Sequence, residues 1–315
     1  MPRHTNRIAA MSHSRIFGHC LALLTIIMWG TTFVATKVLL NDFSPVEILA
    51  YRFFLGFCTL LAVMPRLFPW QGWRQEICYM GAGLCGVLLY FLLENTALAH
   101  TYASNVGIIV SISPFLTALL AHAFLRGERF TLRFFCGFAI AASGICLIFY
   151  NGSMVLRLNP LGDLMAAGAA LAWACYSVLM CRIGTFRQNT ILCTRRVFLY
   201  GLLLTAPLLP ALGAGLDWER MARPQNAANL LFLGMGASAL GYVSWNWCVR
   251  VLGAIRTSVY IYLIPVVTVI AAVIILNERI TGVALAGILM TLAGLALSEQ
   301  RSSSRPAGKP HPAKE

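Results

Sequence analysis

Residues 17–40 read FGHCLALLTIIMWGTTFVATKVLL, a run whose single charged residue is Lys37. A helix of about 20 apolar residues crosses the hydrocarbon core of a bilayer, so this stretch reads as a membrane span. Residues 160–181, PLGDLMAAGAALAWACYSVLMC, echo it, with Trp173 standing 144 residues after Trp29. A cleaved signal peptide is not expected: residues 21–40 are too long and contain Trp29, Gly30 and Lys37, and no convincing small-residue cleavage site precedes residue 41.

Outward from these two runs, ten spans can be drawn, at about 17–40, 46–65, 77–98, 102–124, 131–151, 160–181, 190–211, 227–250, 256–276 and 281–298. Breaks such as Asn41-Asp42-Phe43-Ser44-Pro45, Pro65-Arg66 and Arg126-Gly127-Glu128-Arg129 separate them. Composition agrees, at 59% hydrophobic and 11% charged residues, against roughly 25% charged in soluble globular chains. The short alternating segments of a membrane β-barrel are missing. The ten cysteines lie in or beside apolar segments with no close C-x-x-C pair, so they read as apolar fillers rather than as disulfides or metal ligands.

The positive charge is placed asymmetrically. With a cytoplasmic N-terminus, sixteen Lys and Arg fall in inner segments, while four (Arg157, Arg220, Arg223 and Arg279) fall in outer ones. Positive charge marks the cytoplasmic side, so both termini are expected there. The net charge of +13 then faces anionic lipid at the cytoplasmic loops rather than nucleic acid. The boundaries expected are a cytoplasmic segment 1–16, a first five-helix unit 17–151, a second 160–298, and a disordered basic tail 299–315.

The two units match in order. Arg52 and Arg196 keep the offset of 144, Asn95 and Asn246 stand 151 apart, and so do Pro114 and Pro265. Glu128-Arg129 recurs as Glu278-Arg279, and Gly137 and Gly144 recur as Gly287 and Gly294. Five spans per unit is an odd number, so the second unit crosses the membrane in the opposite sense. The fold expected is an all-α integral membrane protein with ten transmembrane helices in two inverted-topology five-helix repeats. Such repeats enclose a midplane site in secondary transporters. The glycine pairs read as close helix packing, of the fifth span against the tenth or within a dimer.

The expected substrate cavity is lined by Trp29, Asn95, Ser111, Pro114, Trp173, Tyr176, Trp245, Asn246, Tyr260 and Pro265. Aromatic rings supply apolar walls, the two amides both donate and accept hydrogen bonds, and a mid-helix proline frees a backbone carbonyl where a cavity tolerates it. Each of these types also serves ordinary core packing. Glu94 is the carboxylate well within a span; it is read as a group that binds a substrate ammonium, one that couples transport to protons, or a charge pair with Lys37. Arg52, Arg195 and Arg196 begin their spans and read as snorkelling toward headgroups. No phosphate loop, nucleophile elbow or zinc motif is present, so neither an enzyme, a cofactor nor a metal site is expected.

Ile27-Met28-Trp29-Gly30-Thr31-Thr32-Phe33, Arg52-Phe53, Pro114 with Gly127-Glu128-Arg129, and the echo at Pro265 and Asn277-Glu278-Arg279 resemble the EamA family of the drug/metabolite transporter superfamily. The resemblance covers about residues 17–298. It implies a central cavity between the halves and the export of small polar or amphipathic solutes, amino acids and related metabolites above all, across a bacterial inner membrane; a monomer or homodimer is expected. Import or exchange of organic ions, and a scaffold or sensor that moves no solute, remain as alternatives. Reporter fusions should place residues 41–45, 152–159 and 212–226 outside and both termini inside; an external C-terminus would overturn the assigned orientation.

Overall fold

The computed structural model describes residues 2–100, 103–125, 132–149, 159–215, 217–267, 270 and 282–298. The Glu-Arg pairs at 128–129 and 278–279, most of the loop before 159, and the tail after 298 lie outside the described residues.

Ten helices follow the apolar runs. They are α1 (Pro2–Leu39), α2 (Pro45–Val63) and α3 (Trp73–His100), then α4 in two pieces (Ala103–Val110 and Ser113–Phe124), and α5 (Leu132–Phe149). The second set is α6 (Pro160–Gly184), α7 (Thr190–Thr205), α8 (Pro224–Leu252), α9 (Ala254–Val267) and α10 (Gly282–Ser298). Six of these runs are long and apolar enough to cross a membrane, and the remaining four are shorter apolar helices. No strand occurs among the described residues.

Local chemistry sets the helix ends. Ser44 caps α2 through a capping box with Glu47, and Pro45 takes the first turn, where its missing N–H costs nothing. Asn159 and Pro160 start α6 in the same way. Gly253 closes α8 with φ at 94°, a conformation that side-chain-bearing residues rarely adopt. In α4 the break comes at Ser111–Ile112. Pro114 cannot donate to the carbonyl of Val110, and Ser113 Oγ donates to that oxygen instead, at 2.6 Å. The serines ahead of this proline therefore satisfy backbone.

Helices in lipid gain little from hydrophobicity and associate through close packing. Among the described residues, the closest approach to a neighbouring helix's backbone joins α5 to α10. A Cβ added at Gly144 would lie 2.6 Å from the carbonyl oxygen of Gly287, and one at Gly137 would lie 2.7 Å from that of Gly294. Since Gly137 meets Gly294 while Gly144 meets Gly287, the two helices run antiparallel. Exchanging repeat partners (137 with 287, 144 with 294) maps this set of contacts onto itself. That is the signature of a two-fold axis perpendicular to the helices. A second pair of crossings obeys the same exchange: Gly56 of α2 packs on Gly234 and Ser238 of α8, and Gly201 of α7 packs on Gly83 and Val87 of α3. The α3 and α8 helices also each contain a π-helical stretch, Leu84–Leu89 and Phe232–Leu240, at overlapping positions in the repeat.

The glycine crossings correct one expected equivalence. They pair Gly56 with Gly201, an offset of 145, so Arg52 corresponds to Val197 and not to Arg196. One residue of slip turns a helical side chain by about 100°. The two arginines accordingly have different fates. Arg196 donates to Glu76 Oε2 at 3.0 Å, and Tyr200 donates to the same oxygen at 2.6 Å. Arg195 turns to the carbonyls of Met64 and Arg66. Neither snorkels free; both tie α7 to the α2–α3 connection.

The opposite end of the bundle holds a second polar network. Asp42 accepts from Asn226 and from Arg223, each at 2.8 Å, and Arg220 donates to the carbonyl of Asp42 at 2.6 Å. Arg220 also pairs with Asp217, which caps the short helix Trp218–Ala222. The Asn226 hydrogen bond and the charges of Arg223 and Arg220 hold the Asp42 carboxyl below its ordinary value.

Two expectations follow. Gly144→Val should destabilise the protein in detergent by about 1–3 kcal/mol through overpacking, while Gly215→Ala, where an added Cβ meets nothing, should leave the unfolding midpoint unchanged; equal midpoints would remove the crossing from its structural role. The Asp42 network, resting on a depressed carboxyl, is present above the ordinary aspartate value of 3.8 and is lost as the pH falls through the lowered one. Hydrogen-exchange protection of residues 217–226 should thus stay level from neutral pH to that range and fall only below it.

Candidate functional site

A cavity lies where the two repeats meet, with about 470 Å³ of empty space once the solvent at its mouth is included. Trp29, Thr32 and Phe33 of α1, Arg52 of α2 and Tyr90, Phe91 and Glu94 of α3 form one part of its wall. Val110 comes from α4, and Trp173, Tyr242, Ile261 and Ile264 come from α6, α8 and α9. The last two flank the proline-disturbed turn of α9, where Ile264 N–H bonds the Ile261 carbonyl that Pro265 cannot reach.

The floor toward His19 is a close aromatic cluster. Trp29 meets Trp173 edge-on at 5.3 Å and Trp245 at 5.0 Å, and Tyr242 stands 5.9 Å from Trp173. Below it, His19 Nδ1 and the Tyr260 hydroxyl share a hydrogen bond of 2.7 Å between α1 and α9. Toward the Ser44 end, Thr32, Phe33 and Ile264 are only half-buried.

Two charged side chains face this space. Arg52 is 2% exposed; its Nε donates to Ser238 Oγ at 3.0 Å, and its guanidinium carbon sits 4.1 Å from the centroid of the Phe91 ring. Glu94 is buried and accepts from the Tyr90 hydroxyl at 3.0 Å. The expected charge pair of Glu94 with Lys37 is not formed. Lys37 is exposed on α1, and no ion pair joins the two among the described residues.

The structure brings Trp29, Trp173 and Glu94 to the cavity and leaves other expected residues in the packing. Asn246 is consumed by neighbours: it accepts from Tyr176 at 2.6 Å and donates to Thr194 at 2.9 Å, which also removes Tyr176 from the wall. Asn95 donates to the Pro45 carbonyl at 3.1 Å, fixing α3 to the start of α2. Ser111 bonds the carbonyl of Gly107 at 2.7 Å, next to the turn that Pro114 enforces. Trp245 is fully buried beneath Trp29, Tyr260 belongs to the closed end, and Pro265 bends α9 without lining the space. The reading of Arg52 as a snorkelling residue is likewise replaced, because Ser238 and the Phe91 ring hold it inward. Arg52, Tyr90 and Tyr242 were missed because each looks like an ordinary interfacial or packing residue until α2, α3 and α8 are brought together.

The two halves treat their tryptophans differently. Trp29 Nε1 donates to the carbonyl of Ala237 at 2.9 Å. The equivalent acceptor for Trp173 is the carbonyl of Gly86, and Tyr242 already donates to it at 2.6 Å. Trp173 Nε1 is left buried with no hydrogen-bond partner.

Comparison with known proteins agrees with this architecture. The EamA-like transporter family matches residues 16–150 and again residues 160–299. An "Uncharacterized transporter" of Archaeoglobus fulgidus is 27% identical over 89% of this chain and 96% of its own length. A "Probable terminal-alkyne amino-acid exporter" of Streptantibioticus cattleyicolor is 26% identical over 90% of this chain and 93% of its own. A "Probable amino-acid metabolite efflux pump" of Escherichia coli is 24% identical over 88% and 93% respectively. A solved structure shares the fold with a TM-score of 0.71 at 22% identity, over 90% of this chain and 97% of that one. The chain belongs to the EamA-like transporter family, as a multi-pass membrane transporter whose ten helices form two inverted five-helix repeats.

Proposed function

We propose that this protein exports small metabolites, amino acids or compounds derived from them, from the cytoplasm across a bacterial inner membrane, with both termini inside. The observation that carries the reading is the cavity between the inverted repeats, walled by aromatic rings and holding one guanidinium and one carboxylate. Pockets of this make-up bind small organic solutes, with few polar groups fixing orientation. The exporters and efflux pumps among the relatives support the same solute class and direction.

Alternating access fits the layout. The aromatic floor and the His19–Tyr260 contact close one end, while the Ser44 end is less tightly packed. Exchange of conformations between the repeats would reverse which end is sealed. Within this reading Trp29 and Trp173 are the solute-contacting walls, and Glu94 is the coupling carboxylate, reached by protons when the cavity is open. Asn95 and Asn246 act through structure.

Medium and cell extracts compared with and without the chain should show an amino-acid-type metabolite moving to the medium; its accumulation in cells would favour import instead. With that solute in proteoliposomes, Trp29→Ala and Trp173→Ala should each lower flux by roughly tenfold or more, the scale of ~1.4 kcal/mol, at equal abundance. Asn246→Ala should lower the yield of folded protein instead. Glu94→Gln should abolish uphill efflux driven by a pH gradient while solute exchange, though weakened, persists. Survival of both activities would make Glu94 a structural partner of Tyr90.

A further inference from the structure

Arg52 is out of proportion to its protein partners. A guanidinium carries five N–H donors, and only Nε–H is bonded, to the neutral hydroxyl of Ser238 at 3.0 Å. The two terminal nitrogens have no hydrogen-bonding protein partner among the described residues, although Arg52 is 2% exposed and lines the cavity. A charge this buried is costly unless it is paired and its donors are met. The nearest candidate anion in the wall, Glu94, is bonded to Tyr90 and forms no ion pair with Arg52.

The fold itself does not require this arginine. The second repeat builds the equivalent crossing with Val197 in place of Arg52 and Val87 in place of Ser238, and both valines are fully buried. Two valines fill that interface without any charge to desolvate. The polar pair is therefore present in one half alone, at the edge of the cavity. A guanidinium edge suits a carboxylate, which it grips with two parallel hydrogen bonds. Glu94, in the same cavity and hydrogen-bonded to Tyr90 rather than to Arg52, suits an ammonium, and Trp29 and Trp173 offer apolar walls beside them.

We propose that Arg52 is the carboxylate-binding residue of the cavity, and that the solute is a compact amino acid with a free carboxylate on Arg52, its ammonium on Glu94 and an apolar side chain against the two tryptophans. This rests on the transport function proposed above. It predicts rejection of solutes whose carboxylate is amidated or absent.

The test titrates the full chain in lipid nanodiscs, following tryptophan fluorescence, with L-leucine and L-phenylalanine, their amides, and 4-methylpentanoate as the acid lacking an amine. The wild type should bind each amino acid at least tenfold more tightly than its amide. Arg52→Gln should erase that preference, and Glu94→Gln should erase the preference of leucine over 4-methylpentanoate while retaining the one over the amide. Should the Gln variant fail to insert, Arg52→Lys keeps the charge and loses the fork, and it should narrow the acid-over-amide preference several-fold. A wild type that binds amide and acid equally, or a folded Arg52 variant that keeps the full preference, would overturn the assignment. Amino-acid flux with a preference independent of Arg52 would sink this site and leave the exporter reading standing. Absence of both binding and flux for every amino acid would sink the two together.

Discussion

Backbone touches backbone where α5 crosses α10, at Gly144 against Gly287 and Gly137 against Gly294. In lipid, where apolar side chains gain little by leaving one solvent for a similar one, such short-range packing is what holds helices together. The crossing is antiparallel and maps onto itself under exchange of the repeats, so it fixes the pseudo-two-fold axis. The α2–α8 and α3–α7 crossings obey that same axis through Gly56, Gly234, Gly83 and Gly201. These contacts frame the cavity without having to enter it.

Within that frame, the cavity lies where the halves stop being alike. Trp29 finds a carbonyl acceptor and Trp173 does not, because Tyr242 has taken the equivalent one. Arg52 and Ser238 stand where the other half has two valines. The scaffold that encloses the cavity is nearly symmetric, while the side chains that line it are not. The remaining charges are used at the ends of the bundle. The Glu76–Arg196–Tyr200 group ties α3 to α7, and the Asp42–Arg220–Asn226 group ties the α1–α2 turn to the segment leading into α8.

The polar residues of the spans show how little hydrogen-bonding capacity is left over. Ser113 serves a carbonyl freed by Pro114, Asn246 is shared by Tyr176 and Thr194, and Asn95 holds the start of α2. A bilayer interior offers no water to satisfy such groups, and these three are bonded to protein, although Asn95 Oδ1, Trp173 Nε1 and Trp245 Nε1 stay buried without a partner. Residues that look well suited to a ligand in sequence are for this reason often engaged elsewhere.

Sequence by itself determined the spans, the duplication, the odd helix count and hence the inversion, because length, apolar content and repeat order are properties of the chain read in one dimension. It also marked Trp29 and Trp173 at mid-span and Glu94 in the outer half of its span, residue types that are conspicuous there. Tertiary structure alone decided which polar groups reach the cavity. A one-residue change of register turns a helix face by about 100°, and the repeat alignment that paired Arg52 with Arg196 was off by that one residue. The π-helical stretches of α3 and α8 shift faces again, in a way no apolar pattern records. Arg52 therefore became a cavity residue, and Asn95 and Asn246 became packing residues, only when α2, α3, α7 and α8 met across the axis.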